Sequence, residues 1–497
     1  MLCRLIQFVA RQLIPDRFRC MVSRLASIAW AAFMASCCFM TLANCVKSTW
    51  PTLPSRHICL NLVNDLLHNP VDITEILHTG KLLIAERDGK IQLIDVHDAK
   101  SFALSPELIL DISDKVLAKG DHMGVLGIAV HPRFKLNGFV FIMYSAETDD
   151  REFHHRQRIS RFALLSTNGS EIDKFSETVL LEIYQSAPTG GQIWFGSDDH
   201  LLHIAVGDGS RSRRSRFDRG MHSGKILRIN VDVDLSRDGN VPYKIPDDNP
   251  FAHQPSTLLP EVFAYGLQNP WRCSEERREM KRGISSCAGT AQIRIICIDV
   301  GPKFSDFNII QKGGMYGFMD EAFSPCHDLD NCRNTTKLKS EFRLPICRYP
   351  GVAVGGVFYN PWNSYLFADY MRGSLHYLKP TGSGSVWMRG PVEVVDNETC
   401  APAHRPLTHQ TVLNLHQVSD RILYMLTVSN DQTAEPNGHL YRISMPKWGS
   451  LSKRTGNTAS QLTVNCPIFV NILCLLYLFF LLRQDSFLSA LTRVIIP

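Results

Sequence analysis

The chain has no Cys-x-x-Cys pair, no Cys/His spacing that builds a zinc site, no phosphate-binding glycine loop, no metalloprotease helix and no grouped Ser, His and Asp. These absences set aside zinc modules, P-loop nucleotide chemistry and triad hydrolysis. Long helical periodicity is missing between the apolar ends of the chain, so helix bundles and coiled coils are set aside too. Charge of one sign is also scarce. Fifty-three Lys and Arg against 48 Asp and Glu leave a formal +5 over 497 residues, too weak an excess for a nucleic-acid partner. The local exception is Arg211, Arg213, Arg214, Arg216 and Arg219, with Asp218 among them. A run of this kind is either a solvated loop or an anion-binding patch.

What is present begins with two apolar ends. Arg19 and Arg24 precede an apolar run over 26–43, and Thr41-Leu42-Ala43 offers the small residues that a signal peptidase reads. Residues 1–43 read as a signal peptide or N-terminal anchor, and 44–72 as a short extension. Residues 464–482 are almost wholly apolar, near the ~20 residues a helix needs to cross a bilayer. The small residues Gly456-Asn457-Thr458-Ala459-Ser460 offer a glycolipid attachment site instead. A single-pass helix followed by a tail at 483–497, or a glycolipid anchor, are the two readings. Both place the chain in the secretory pathway and at the cell surface.

Cysteine usage agrees with an oxidising compartment. Nine of the 15 cysteines lie between the apolar ends, and the short separations favour Cys273 with Cys297 and Cys326 with Cys332. An odd number leaves one thiol free or paired elsewhere. Acceptor sequons for N-glycans stand at Asn168, Asn334 and Asn397.

Between the ends, short apolar strands alternate with Gly, Asp and Asn turns. Residues 82–96 read as a hairpin about Arg87-Asp88-Gly89, since an Asp-Gly turn supplies the positive φ of a tight reversal. The pattern recurs at 139–144, 158–164, 179–184, 192–206, 225–231, 293–300, 307–311, 352–359, 374–378, 422–428 and 440–443. Many short strands at near-regular intervals predict radial repetition of small antiparallel sheets, an all-β propeller over 73–446 with a polar stalk at 447–463. No strict internal repeat sets the number of blades.

Several motifs in fixed order carry a resemblance. They are DHMGVLGIAVHP at 121–132, GGQIWFGSDDHLLHIAVGDG at 190–209, LPEVFAYGLQNPWRC at 259–273, DVGP at 299–302, DFNII at 306–310, KGGMYG at 312–317 and FADYMRGSL at 367–375. Together they resemble the soluble quinoprotein glucose/sorbosone dehydrogenases. Within that group, Cys273 after Trp271-Arg272, the Cys326 and Cys332 pair and the terminal segments resemble the hedgehog-interacting protein and its like proteins. The resemblance implies a six-bladed β-propeller of four-stranded antiparallel sheets.

It also implies a chemistry against which this chain can be read. The catalytic members use a base histidine two residues before the paired glycine, calcium, and cationic groups for the quinone carboxylates. Here the base position is Pro188, which has nothing to titrate. Gln268-Asn269 stands at an Arg-Asn pair, so the amide is kept and the cation is not, while Arg372 falls at a cofactor-binding arginine. Gly301 and Pro302 keep the carbonyl positions that ligate calcium, and Asp306 offers a carboxylate. His122, where the catalytic members carry glutamine, is a substitute base or a structural histidine.

The expected function is therefore a cell-surface or secreted binding protein without the dehydrogenase activity. Calcium is its permitted cofactor, and pyrroloquinoline quinone is not expected. The alternative is a calcium- and quinone-dependent sugar oxidoreductase whose base is displaced to His122. In hedgehog-binding members an acidic loop reaches the ligand's zinc site. The corresponding loop here is basic, with Asp218 its acid, so the partner is an extracellular protein ligand or an anionic glycan, a hedgehog-type ligand being less compatible with that charge.

Overall fold

The computed structural model describes residues within 53–445, apart from 97–103, 121, 166–170, 210–216, 234–240, 255–257, 279–291, 318–341, 382–385, 396–399, 401–406, 420–421 and 432–435. The terminal apolar segments, the sequons at Asn168, Asn334 and Asn397, the Cys326 and Cys332 pair, and Arg211, Arg213, Arg214 and Arg216 lie outside the described residues. No helix among the described residues is long and apolar enough to cross a membrane.

The chain enters on β1 (Arg56–Leu67) and then lays down antiparallel runs of four strands. The first is β2 (Pro70–Ile76), β3 (Lys81–Glu86), β4 (Lys90–Asp95) and β5 (Glu107–Asp111); the second is β6 (Val125–Val130), β7 (Phe139–Ala146), β8 (His155–Leu164) and β9 (Ile172–Gln185). A third run, β10 (Gly191–Phe195), β11 (Leu202–Val206), β12 (Lys225–Ile229) and β13 (Val262–Tyr265), is followed by β14 (Pro270–Arg278), β15 (Gln292–Val300) and β16 (Ser305–Ile310). The short β17 (Met315–Tyr316) and β18 (Phe342–Arg343) add in parallel to β13, while β19 (Cys347–Tyr349) completes the sheet of β14 to β16. The last strands are β20 (Ala353–Tyr359), β21 (Ser364–Asp369), β22 (Leu375–Thr381), β23 (Val386–Val394), β24 (Gln410–Ser419), β25 (Ile422–Ser429) and β26 (Gly438–Ser444).

The result is an all-β propeller of four-stranded sheets. Hydrogen bonding does not divide it into six separate sheets as the resemblance implied. It makes three sheets of four strands, one of six and one of eight. The physical reason is local. β17 and β18 extend the third run, and β1 bonds antiparallel to β26 and parallel to β23, so two runs share one ladder.

Burial explains which strands were legible. The first strand of each run lines the axis: β2 packs on β6, β6 on β10, β10 on β14, β14 on β20, β20 on β24, and β24 back on β2. Strands covered on both faces read as continuous apolar runs. VLGIAV in β6 and AVGGVFY in β20 are buried at every residue. Each fully buried Leu, Ile or Phe contributes ~1.5–3 kcal/mol, and such side chains fill the space between neighbouring runs, for example Leu83, Ile91, Ile142 and Phe162 between the first two. Turns follow the sequence closely. Gly89 takes φ +109° in the predicted Asp-Gly reversal, a backbone that L-residues rarely adopt.

Other strands escaped the pattern. PWRCSEERR in β14 carries mostly charged residues after its cysteine, yet it is a strand because β15 pairs with it along its length, Cys273 opposite Cys297. These two cysteines form a disulfide. β1 lies in the stretch that the sequence marks only as an N-terminal extension. Its place is set by partners far along the chain, Cys59 opposite Ser444 and Ile58 opposite Val394.

A second disulfide, Cys59–Cys400, spans 341 residues and ties this closing strand to the connection between β23 and β24. No spacing rule reaches a pair so far apart, and short separations pointed elsewhere. Cys347 is the free cysteine among the described residues. Because the closing strand has no covalent neighbour on its own sheet, Cys59→Ser should loosen the ring. Removal of a native bridge costs ~2–5 kcal/mol, so the variant should unfold at lower denaturant than the parent, read by a chemical denaturation curve on the purified proteins.

Candidate functional site

Antiparallel runs return to the same end at every second strand. The connections that enter the axial strands and those between second and third strands therefore emerge together. That end gathers 112–120, 122–124, 186–190, 207–209, 217–224, 266–269, 301–304 and 370–374, which hold His122, Pro188, Asp218, Gln268, Asn269, Gly301, Pro302 and Arg372. Sequence positions scattered over 250 residues thus share one face.

The centre of that face is built on Asn269. Its Oδ1 accepts hydrogen bonds from the Thr189 hydroxyl and the Gly190 amide, each at 3.0 Å. The loop carrying it is held from beneath by buried Asp299, whose carboxylate accepts from the Gln268 amide at 3.0 Å and the Asn269 amide at 2.6 Å. The Trp271 ring lies over Gly190, where an added Cβ would meet it at 2.2 Å. A glycine is required there by that close approach. His122 stands edge-on to Trp271 with ring centroids 5.3 Å apart, exposed, and at φ +62°. Pro188 is exposed beside Thr189. The structure therefore brings His122, Pro188, Asn269 and Trp271 into one neighbourhood.

Behind the Pro188 loop lies a buried polar layer. Gln157 Nε2 donates to the Thr189 carbonyl at 3.2 Å, Gln185 Nε2 to Gln157 Oε1 at 3.0 Å, and the Ser223 hydroxyl to Gln185 Oε1 at 3.3 Å. Lys225 Nζ donates to the Ser223 carbonyl at 2.9 Å, and burial pulls its amine down to about 8. His155, wholly buried at the start of β8, has its imidazole pulled down to about 4, first by burial and then by His154.

Other predicted positions lie on the same face with partners of their own. Arg372 is largely exposed, 3.6 Å from Asp369, a buried acid that also accepts from the Tyr349 hydroxyl at 2.5 Å. Among the described residues no hydrogen bond or ion pair joins Arg372 to Gln268 or Asn269. Gly301 closes a turn through its amide to the Phe304 carbonyl at 2.8 Å, and Pro302 is exposed. Asp306 is buried, with its two oxygens held by Arg348 Nε and Nη2, each at 2.7 Å. Burial pushes the Asp306 carboxyl up, against the pull of that guanidinium. Asp218 is exposed at the edge of the basic loop. No group of three or more His, Cys, Asp and Glu side chains among the described residues is placed to hold a metal ion.

The sequence reading missed the group beneath this face. Arg272 follows Trp271 on β14 and points into the axis. Its Nη2 donates to the Val71 carbonyl at 2.7 Å, and its Nη1 to the carbonyls of Trp271 at 3.1 Å and Gly191 at 3.2 Å. Asp72 lies 4.0 Å from it, accepts from the Ile128 amide at 3.0 Å, and takes a further bond from Asn414 at 2.5 Å. Burial raises the Asp72 carboxyl, and the Arg272 charge opposes that rise. An arginine after a Pro-Trp pair was the available signal, but nothing local says that it is buried.

The family model described as Glucose / Sorbosone dehydrogenase matches residues 67–376. The chain is 27% identical over 436 residues to the hedgehog-interacting protein of Mus musculus, covering 82% of this chain and 56% of that protein. The Homo sapiens protein of the same name gives 27% over 435 residues with the same coverage. The HIPL2 protein of Arabidopsis thaliana is 29% identical over 362 residues, 59% of this chain and 49% of that protein. The chain thus spans about half the length of these curated relatives. Among solved structures, a putative oxidoreductase (glucose dehydrogenase) of Thermus thermophilus superposes with a TM-score of 0.55 at 20% identity, over 78% of this chain and 99% of that one. The soluble aldose sugar dehydrogenase of Escherichia coli in its apo form gives 0.54 at 19%, over 78% and 100%. These likenesses establish the propeller fold.

Two outcomes follow from the buried groups. Removing one partner of a buried ion pair costs ~3–5 kcal/mol, so Arg272→Met should lower the unfolding midpoint sharply, and adding Asp72→Asn should recover part of the loss, as a denaturation series on the three variants reads. The second outcome is a pH dependence. An unfolded histidine titrates near 6.5, whereas folded His155 does so at about 4, so in that window the unfolded chain binds the extra proton. The stability it contributes is complete above pH 6.5 and is lost as pH falls toward 4. Urea midpoints should drop across that window, and His155→Phe should remove part of the drop.

Proposed function

The chain belongs to the glucose/sorbosone dehydrogenase family, and on that premise we propose that it is a cell-surface or secreted binding protein on a dehydrogenase propeller that no longer carries out the sugar oxidation. The observation that carries the proposal is the Pro188 loop. A proline occupies the place of the base, and its neighbours Thr189 and Gly190 are bonded to the Asn269 amide oxygen. That oxygen is engaged in holding the loop. The cation that would face a quinone carboxylate is replaced by Gln268. The two losses act on proton removal and on cofactor retention, and they compound.

The blade count belongs to the same reading. Six blades are supported by the closed circuit of axial strands from β2 through β24 and back. They are supported also by apolar clusters between successive runs, the last of which joins Leu67, Tyr424, Leu426 and Leu440 to Ile73, Leu82 and Ile84. In this count the eight-stranded sheet divides at the parallel β1–β23 contact.

The relatives named as hedgehog-interacting proteins favour an extracellular ligand. Arg211, Arg213, Arg214, Arg216 and Arg219 make the 207–224 loop basic, which suits an anionic glycan or an acidic protein surface better than a metal centre sought by a carboxylate. The signal-like segment, the sequons and the distal apolar run support the secretory pathway and a surface anchor.

General-base assistance is worth ~10²- to 10⁴-fold in rate. The full chain, supplied with calcium and pyrroloquinoline quinone, should therefore reduce a redox dye with glucose or other aldoses no faster than a heat-inactivated control. Turnover above that control, abolished by His122→Ala, would overturn the binding-protein reading and make His122 a displaced base. Activity gained by Pro188→His with Gln268→Arg, where the parent has none, is the expected mark of a lost enzyme.

A further inference from the structure

The family resemblance puts calcium against the Gly301 and Pro302 carbonyls, and Asp306 is the nearby acid that the sequence offers to it. The structure gives that acid a different cation. Asp306 and Arg348 are direct cross-strand partners on β16 and β19, and the guanidinium meets the carboxylate through Nε and Nη2 at 2.7 Å each. This parallel two-bond fork is the strongest geometry an arginine offers a carboxylate. The same guanidinium lies 5.6 Å from the Phe304 ring, and Phe304 closes the turn that begins at Gly301. Arg348 thus lies against both the acid and the Phe304 side chain of that turn. Asp306 is 2% exposed, and a carboxylate so buried needs a positive partner.

A hard dication and this fork compete for one carboxylate. Calcium takes six to eight oxygen ligands and draws on carboxylate lone pairs. Here one lone pair on each oxygen is turned to the guanidinium, and a dication beside it would face a like charge in a partly dry site. Asp306, paired and buried in this way, therefore does not fit the part of a calcium ligand.

We infer that Arg348 is a built-in replacement for the metal, so that the 301–306 loop is held by a side chain and the protein folds and stays folded without calcium. The inference rests on the family assignment that locates the ion. It does not rest on whether catalysis has been lost.

The experiment reads metal binding and unfolding, not turnover, so it stands or falls apart from the dye assay. For the full chain, unfolding midpoints in millimolar calcium and in EGTA should coincide, and terbium added as a luminescent calcium mimic should show no signal that Asp306→Asn removes. Arg348→Gln frees the carboxylate. It should melt lower in EGTA and regain about 2 °C or more in calcium, a gain absent from the Arg348→Gln, Asp306→Asn double variant. A calcium-dependent midpoint or terbium signal in the parent that Asp306→Asn abolishes overturns the inference. So does a folded Arg348→Gln protein indifferent to calcium. Should Arg348→Gln not be recovered folded, the parent's terbium and midpoint measurements decide.

Discussion

The axis beneath the site end of the propeller is tied together by one buried guanidinium. Arg272 stands on β14 and bonds to backbone carbonyls of β2 and of Gly191 on β10, while Asp72 beside it collects the Ile128 amide of β6 and the Asn414 side chain of β24. Axial strands cannot pair with one another as a sheet does, because each belongs to a different run. Their inward polar groups must be satisfied by something reaching across the axis. A planar cation with several donors can serve several carbonyls at once. Its position one residue after Trp271 also fixes the ring that covers Gly190, so the axial bond and the floor of the site are one construction.

Around that axis the same face has internal partners where external chemistry would need free groups. Asn269 bonds to the loop that would hold the base. Asp306 bonds to Arg348 instead of presenting oxygens, and Asp369 takes the Arg372 and Met371 amides together with the Tyr349 hydroxyl. Each of these carboxylate or amide groups is engaged by a neighbour within the chain. A polar group so satisfied rigidifies its loop. The proposed loss of catalysis and the proposed metal-independence are two results of this one tendency.

The closing of the ring shows the same reliance on distant partners. β1 has no sequence neighbour in its sheet. It is held by β26, by β23 and by the Cys59–Cys400 bridge. A strand placed last in space but first in sequence leaves no exposed seam between the two ends of the propeller. It also merges two runs into one ladder, which is why the sheet count differs from the proposed blade count.

The amino-acid sequence by itself determined the strand-and-turn alphabet: the Asp-Gly reversal at Gly89, the apolar runs of β6 and β20, and the order of motifs in which Pro188 and Gln268 stand. These are local, since periodicity, turn chemistry and side-chain identity do not depend on what lies across the axis. Tertiary structure alone decided that β1 closes the ring, that charged β14 is a strand, that Cys59 meets Cys400, and that Arg272 and Arg348 are spent on Asp72 and Asp306. Each of those outcomes joins residues tens to hundreds of positions apart. Nothing in the local sequence separates an arginine bound for solvent from one that will be desolvated against a carboxylate. The difference lies in the company that folding brings to it.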